Sequence, residues 1–175
     1  MDKPSMKAFL RDQRGSTIAV LAAGMVMVVG FTAFAVDVGY LYGLRSKLQA
    51  TADAAALAGV NQLPDAGATT IAAIYYAGKN MPAADHGTVL TNADVVIGNW
   101  QAGTRTFTSA GDPLNAVRVV TQRSDDNGNP VGLFFGRILG IVDVNVSTMA
   151  IATRSTPACV VALKPDDTGV FVNSY

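Results

Sequence analysis

The most extreme hydrophobic pattern lies at the start of the chain. Between Arg14 and Asp37 runs GSTIAVLAAGMVMVVGFTAFAV, without a single Asp, Glu, Lys or Arg. As a helix rising about 1.5 Å per residue this stretch is roughly 33 Å long, against a hydrocarbon core of about 30 Å. A helix satisfies its own backbone N–H and C=O groups where lipid offers no water, so this segment is predicted to span a membrane. Beyond Asp37 the pattern becomes that of an amphipathic helix. Leu41, Leu44, Leu48 and Ala55 recur at helical spacing while Arg45, Lys47, Gln49 and Asp53 turn elsewhere. The helix is therefore expected to continue out of the membrane to about residue 60, with Pro64 closing it.

Two small-residue patterns mark this continuation. Gly39 and Gly43 form a GxxxG pair, and Ala52 and Ala55 belong to an alanine-dominated run from Ala50 to Ala58. Both give a thin surface that another helix can approach closely, so these four are the helix-packing candidates. Arg14, Asp37, Tyr40 and Tyr42 are the membrane-boundary candidates. Tyrosines favour the headgroup level. An acid there either caps the span, reaching interfacial water, or pairs with a cation on a neighbouring helix.

A second helix is predicted from Ala66 to Lys79, with Asp65 as N-cap and Ile71, Ile74 and Tyr75 on one face. Residues 81–92 read as a loop holding His86, the only histidine. From about Ala93 the period drops to two. Strands are expected at Ala93–Gly98, Thr104–Thr108 and Ala116–Arg123, the last with Val117, Val119 and Thr121 on one face. Asp125 to Asn129 is a turn. Asn129 and Pro130 can open a short helix ending at Gly140, with Leu133, Phe134 and Ile138 packing it onto the sheet. Alternation from Val142 to Ala152 is the clearest strand, and Cys159–Leu163 is a further candidate. The fold class expected is α+β: one N-terminal transmembrane helix continuing into an exported helix, a second helix, and a small mainly antiparallel sheet with one short helix. The organisation is a basic flank over 1–14, the span over 15–37, an exported helical segment over 38–80, a loop over 81–92 and a β-rich exported domain over 93–175, complete or truncated.

Charge sets the orientation. Lys3, Lys7, Arg11 and Arg14 precede the span, whereas only Arg45 and Lys47 follow closely. This excess predicts a single-pass protein of a bacterial inner membrane, N-terminus cytoplasmic, with its C-terminal domain periplasmic or extracellular. Formal net charge is zero, and no basic stripe accompanies an aromatic series, which argues against nucleic acid as a partner. The single cysteine, Cys159, cannot form an internal disulfide. It is either an intermolecular thiol or a small buried apolar residue.

Two processing routes compete with a retained anchor. Ala33-Phe34-Ala35 before Val36 resembles a signal-peptidase site, but the apolar run exceeds the roughly 7–15 residues of a signal core. Cleavage there would release a secreted binding domain. Cleavage after Gly15 would give a minor pilin-like subunit, yet the fifth residue after that cut is Val20 where pilin-like subunits normally carry glutamate.

Catalytic and metal patterns are weak. One histidine and one cysteine exclude a Cys/His metal cluster within the chain. Nothing around His86 or Cys159 suggests a nucleophile–base pair. The Asp125–Asn129 turn lacks the acid a calcium loop needs, since Gly136 stands there. No phosphate-binding glycine loop or serine elbow occurs. The chain is expected not to be an enzyme, and to need no cofactor and no small-molecule substrate.

Several motifs together resemble a known family. Arg14-Gly15-Ser16 before the apolar run, Ala35-Val36-Asp37-Val38-Gly39, and the segment from Arg45 to Gly59, RSKLQATADAAALAG, are similar to the N-terminal module of TadG-like proteins of the Tad (Flp-type) pilus-assembly group. Ile97-Gly98-Asn99-Trp100, Asn115-Ala116-Val117-Arg118-Val119, Leu133-Phe134-Phe135 and Ala158-Cys159-Val160-Val161-Ala162-Leu163 resemble later segments of the same group. The resemblance implies a bitopic inner-membrane structural protein that assembles or anchors pili. Its partners would be membrane lipid and other pilus-assembly proteins, or itself through helix packing. Longer members continue into a large exported region, whereas this chain stops at Tyr175.

Overall fold

The computed structural model describes residues 16–154. Arg14, Cys159 and the candidate strand Cys159–Leu163 lie outside the described residues.

The apolar run and its amphipathic continuation form one unbroken helix, α1 (Ser16–Val60, 45 residues). The two halves differ in what surrounds them. From residue 17 to residue 36 every side chain is exposed except Ala33, which is half-covered. From Asp37 onward a stripe at three- and four-residue spacing is buried, running through Leu44, Leu48, Ala52, Ala55, Ala56 and Val60. The turn after Val60 leads to α2 (Ala66–Asn80), whose N-cap Asp65 accepts a hydrogen bond from Ala68 N–H at 2.9 Å.

α2 presents an unexpected face to the core. Its buried residues are Thr69, Ala73 and Ala77, while Ile71 and Tyr75 are exposed and Ile74 packs only at the edge. The small residues win the inner face because α2 lies close against the alanine run of α1. A short helix α3 (Ala83–His86) lies within the segment expected to be loop, and a 3-10 turn (Asn92–Asp94) takes the first residues of the strand expected from Ala93.

Four antiparallel strands follow the order β2-β1-β3-β6: β1 (Val95–Gln101), β2 (Thr106–Ser109), β3 (Ala116–Arg123) and β6 (Val146–Thr153). β3 has the bounds its alternation predicts, and its Val117, Val119 and Thr121 are fully buried against the helices. Each buried valine contributes about 1.5–3 kcal/mol over an exposed one. The Thr121 hydroxyl sits 2.9 Å from both Leu48 O and the Thr148 hydroxyl, tying the centre of the sheet to the helix backbone.

The segment between β3 and β6 departs from expectation. In place of a helix starting at Asn129, β4 (Val131–Gly132) and β5 (Asp143–Val144) pair antiparallel as a two-stranded ribbon. Leu133 N–H extends the pairing to Val142 O at 3.0 Å. The tip holds only a 3-10 turn (Gly136–Leu139), closed by Gly140 at φ 83°, a left-handed conformation open to glycine. Leu133 is buried, but Phe134 and Ile138 face outward and do not pack on the sheet.

Candidate functional site

The ribbon and α1 meet where the exposed half of the helix gives way to the buried half. Val131, Val144 and Val146 join Leu41, Leu44, Leu48, Met81 and Val89 in a second core cluster. The ribbon thus lies alongside α1 with its tip pointing towards Asp37 and away from the sheet. Tyr40 and Phe134 meet edge-on with ring centroids 5.3 Å apart.

At the tip the chain places its most distinctive polar contact. Asp37 is 6% exposed, the one buried ionisable side chain among the described residues. Its Oδ1 accepts from Phe134 N–H at 2.9 Å and Phe135 N–H at 3.3 Å; its Oδ2 accepts from Phe135 N–H at 3.0 Å and Gly136 N–H at 2.7 Å. Three successive amides converge on one carboxylate, a backbone nest for an anion. Hydrogen bonds to a charged group contribute about 1.5–3 kcal/mol each, roughly twice a neutral pair. Gly136 allows the tight turn, since a Cβ there would lie 2.5 Å from Leu133 Cδ1 and 3.0 Å from Ile141 O. The carboxylate turns inward to amides of its own chain.

The other candidates fall into distinct places. Ala52 and Ala55 are fully buried in the chain's own core against α2 and the sheet, so that surface is already occupied. Gly39 and Gly43 lie on the exposed side of α1 with open space where a Cβ would stand. With Tyr40, Leu44, His86 and Arg123 they line a shallow notch of about 280 Å³. Tyr42 is highly exposed. His86 Nε2 lies 3.4 Å from Lys47 Nζ. The Asp125–Asn129 turn is held by side chains: Asp125 and Asn145 exchange hydrogen bonds at 3.0 and 3.1 Å, and Asn129 Nδ2 donates to His86 O and Thr88 O at 3.0 Å each. Among the described residues no three His, Cys, Asp or Glu side chains come together as a metal site.

The clasp itself was not readable from the sequence. Asp37 and the Phe134–Gly136 amides are separated by 97 to 99 residues. The one available signal was the placement of a lone acid at the end of an apolar run, with glycine after two phenylalanines far downstream.

Residues 15–62 match the model of a Flp pilus-assembly TadE/G-like family. Residues 43–152 match that of a Tad-like Flp pilus-assembly family. The first covers nearly all of α1, and the second runs from its buried half to the penultimate residue of β6. Neither the curated proteins nor the solved structures yield a match.

Proposed function

Because the chain belongs to the Tad-like Flp pilus-assembly family, whose model spans more than half of it, we propose that it is a bitopic structural component of a pilus-assembly machine. In this reading residues 15–37 cross the inner membrane once, the N-terminus stays in the cytoplasm, and the α+β domain stands in the periplasm. Its role is assembly or anchoring, carried out by contact and not by chemistry. One observation carries the reading: α1 passes without a joint from an exposed apolar half into the buried core of the domain. In this reading one continuous helix joins domain and span, and a force or contact on the domain is passed along it to the anchor.

The same continuity supports retention over signal cleavage, because the bond after Ala35 lies inside the helix and two residues before the docked Asp37. Asp37, Tyr40 and Tyr42 stand at the membrane boundary. The open notch beside Gly39 and Gly43 is offered to a helix of another assembly protein or of a second copy, since small-residue spacing allows close approach in lipid. Carbonate-washed membranes should retain the chain, and mass spectrometry of the retained protein should find residues 1–35 still attached. A soluble product beginning at Val36 contradicts the reading, and one beginning at Ser16 assigns the chain to the cleaved pilin-like subunits.

A further inference from the structure

The tip of the β4–β5 ribbon has a surface unlike the other turns of this domain. Phe134 is 63% exposed, and Ile138 and Leu139 are each 80% exposed, with Phe135, Ile141 and Val142 also open. The other strand connections expose mainly polar or small residues, as in Thr104–Arg105 and Asp125–Gly128, with Leu114 the single large apolar side chain among them. Side chains this large and apolar are rarely grouped on a surface that faces water.

The backbone of the same tip is the reverse of its surface. Phe134, Phe135 and Gly136 N–H donate to Asp37, Leu133 N–H to Val142 O, Ile138 N–H to Phe135 O, Gly140 N–H to Arg137 O and Ile141 N–H to Gly136 O. Irregular backbone survives at membrane depth only where its polar groups are already satisfied by the protein. At least seven of the ten amide donors from 133 to 142 are thus paired within the protein beneath an apolar surface, an arrangement suited to the headgroup–acyl boundary, where the remaining carbonyls still meet water.

The position agrees. The ribbon stem lies level with Leu44 and Leu48, Phe134 with Tyr40, and the amides with Asp37. Ala33, one turn further along the apolar half, is the only residue from 17 to 36 that is covered in part. The tip therefore docks at the level of Asp37, where the exposed apolar half begins. Arg137 is exposed on the same turn, where its guanidinium suits lipid phosphate.

We propose that residues 133–142 are a membrane-dipping finger: Phe135, Ile138 and Leu139 enter the acyl boundary of the leaflet from which α1 emerges, and Asp37 is the positioning residue that docks the finger to the helix. Amphipathic elements of this kind sit about 5–10 Å into the boundary between headgroups and chains. A second insertion point beside the span fixes what one helix cannot, namely the rotation of the domain about the helix axis and its height above the membrane. The inference rests on α1 being the anchor, and the test separates the two.

Full-length chain carrying Cys159→Ser receives a single cysteine at Leu139, Val28 or Thr104, labelled with an environment-sensitive fluorophore. Thr104 sits in the β1–β2 turn at the end of the sheet away from the finger. The chain is reconstituted into phosphatidylethanolamine–phosphatidylglycerol vesicles containing lipids with a nitroxide either near the headgroup or deep in the acyl chain. Val28 should be quenched several-fold more by the deep nitroxide, Leu139 by the shallow one, and Thr104 by neither. If Val28 is quenched and Leu139 is not, the finger is overturned while the anchor stands; blue-shifted but unquenched Leu139 emission would assign it to contact with a second copy. If Val28 is not quenched the anchor falls, and the finger as a second insertion point beside it falls too, whatever Leu139 shows. Asp37→Ala should reduce Leu139 quenching and leave Val28 unchanged, with Asp37→Asn between. Unaltered Leu139 quenching in Asp37→Ala would overturn the positioning role.

Discussion

The two halves of α1 use opposite rules for the same helix. In the half from Asp37 to Val60 the buried positions are mostly Leu, Ala and Val, and α2 brings Thr69, Ala73 and Ala77 against them. In the other half, and on the ribbon tip beside it, large apolar side chains stand outside, among them Phe31, Phe34, Phe134, Ile138 and Leu139. A protein in water would bury the large residues and expose the small ones. The domain half follows that rule with Leu44 and Leu48, and the apolar half and the ribbon tip depart from it. Where the neighbour is another element of the same chain, small residues let backbones approach. Where no element of the chain is the neighbour, bulk and apolarity are retained.

The sharpest way to break this comparison is to make one substitution in both halves. Ala55→Leu adds bulk to a fully enclosed site and should destabilise the domain by about 3 kcal/mol through overpacking. Ala23→Leu, on the exposed half, should leave thermal unfolding unchanged. Thermal melts of both variants in detergent decide it, and equal effects would show that the halves are packed alike.

Asp37→Ala comes next. The three amides at the ribbon tip lose their acceptor, at a cost of about 2 kcal/mol after partial rehydration of the freed groups. Hydrogen exchange at Phe134, Phe135 and Gly136 should accelerate while exchange in β3 stays slow. Thr121→Val tests the link between sheet and helix. It leaves Leu48 O and the Thr148 hydroxyl without their shared partner, and should lower stability by about 1 kcal/mol in denaturant titration.

The smallest effect should come from Gly43→Ala. Its Cβ would meet nothing within 4 Å, so the helix should gain about 0.5–1 kcal/mol from relief of glycine's entropy. Loss of any lateral crosslink through Gly39 in the same variant would show that the notch is used by a partner.

Where the sequence was informative, the signal was local. The apolar run, the Leu41–Leu44–Leu48 stripe, the Asp65 cap and the alternation of β3 each depend on neighbours within a few residues, and each appears in the fold as expected. Two readings failed for want of non-local information. Ile71 and Tyr75 look like the inner face of α2 until the alanines of α1 set how closely the two helices lie. Asn129-Pro130 and Gly140 look like the ends of a helix, but Val131 and Gly132 pair with Val144 and Asp143, and that pairing takes the backbone first. The Asp37 clasp failed more completely, because no short window contains both a carboxylate and the amides it holds. Family resemblance did bring both segments to notice, although it did not connect them.

The account depends most on α1 standing in lipid with the domain beyond it. A reporter that is active only outside the cytosol, fused after Tyr175 in the full chain, tests this directly. The expected result is an active fusion in intact cells, with the matching cytosolic reporter silent. A fusion active only in the cytosol would contradict both the orientation and the role assigned to the domain.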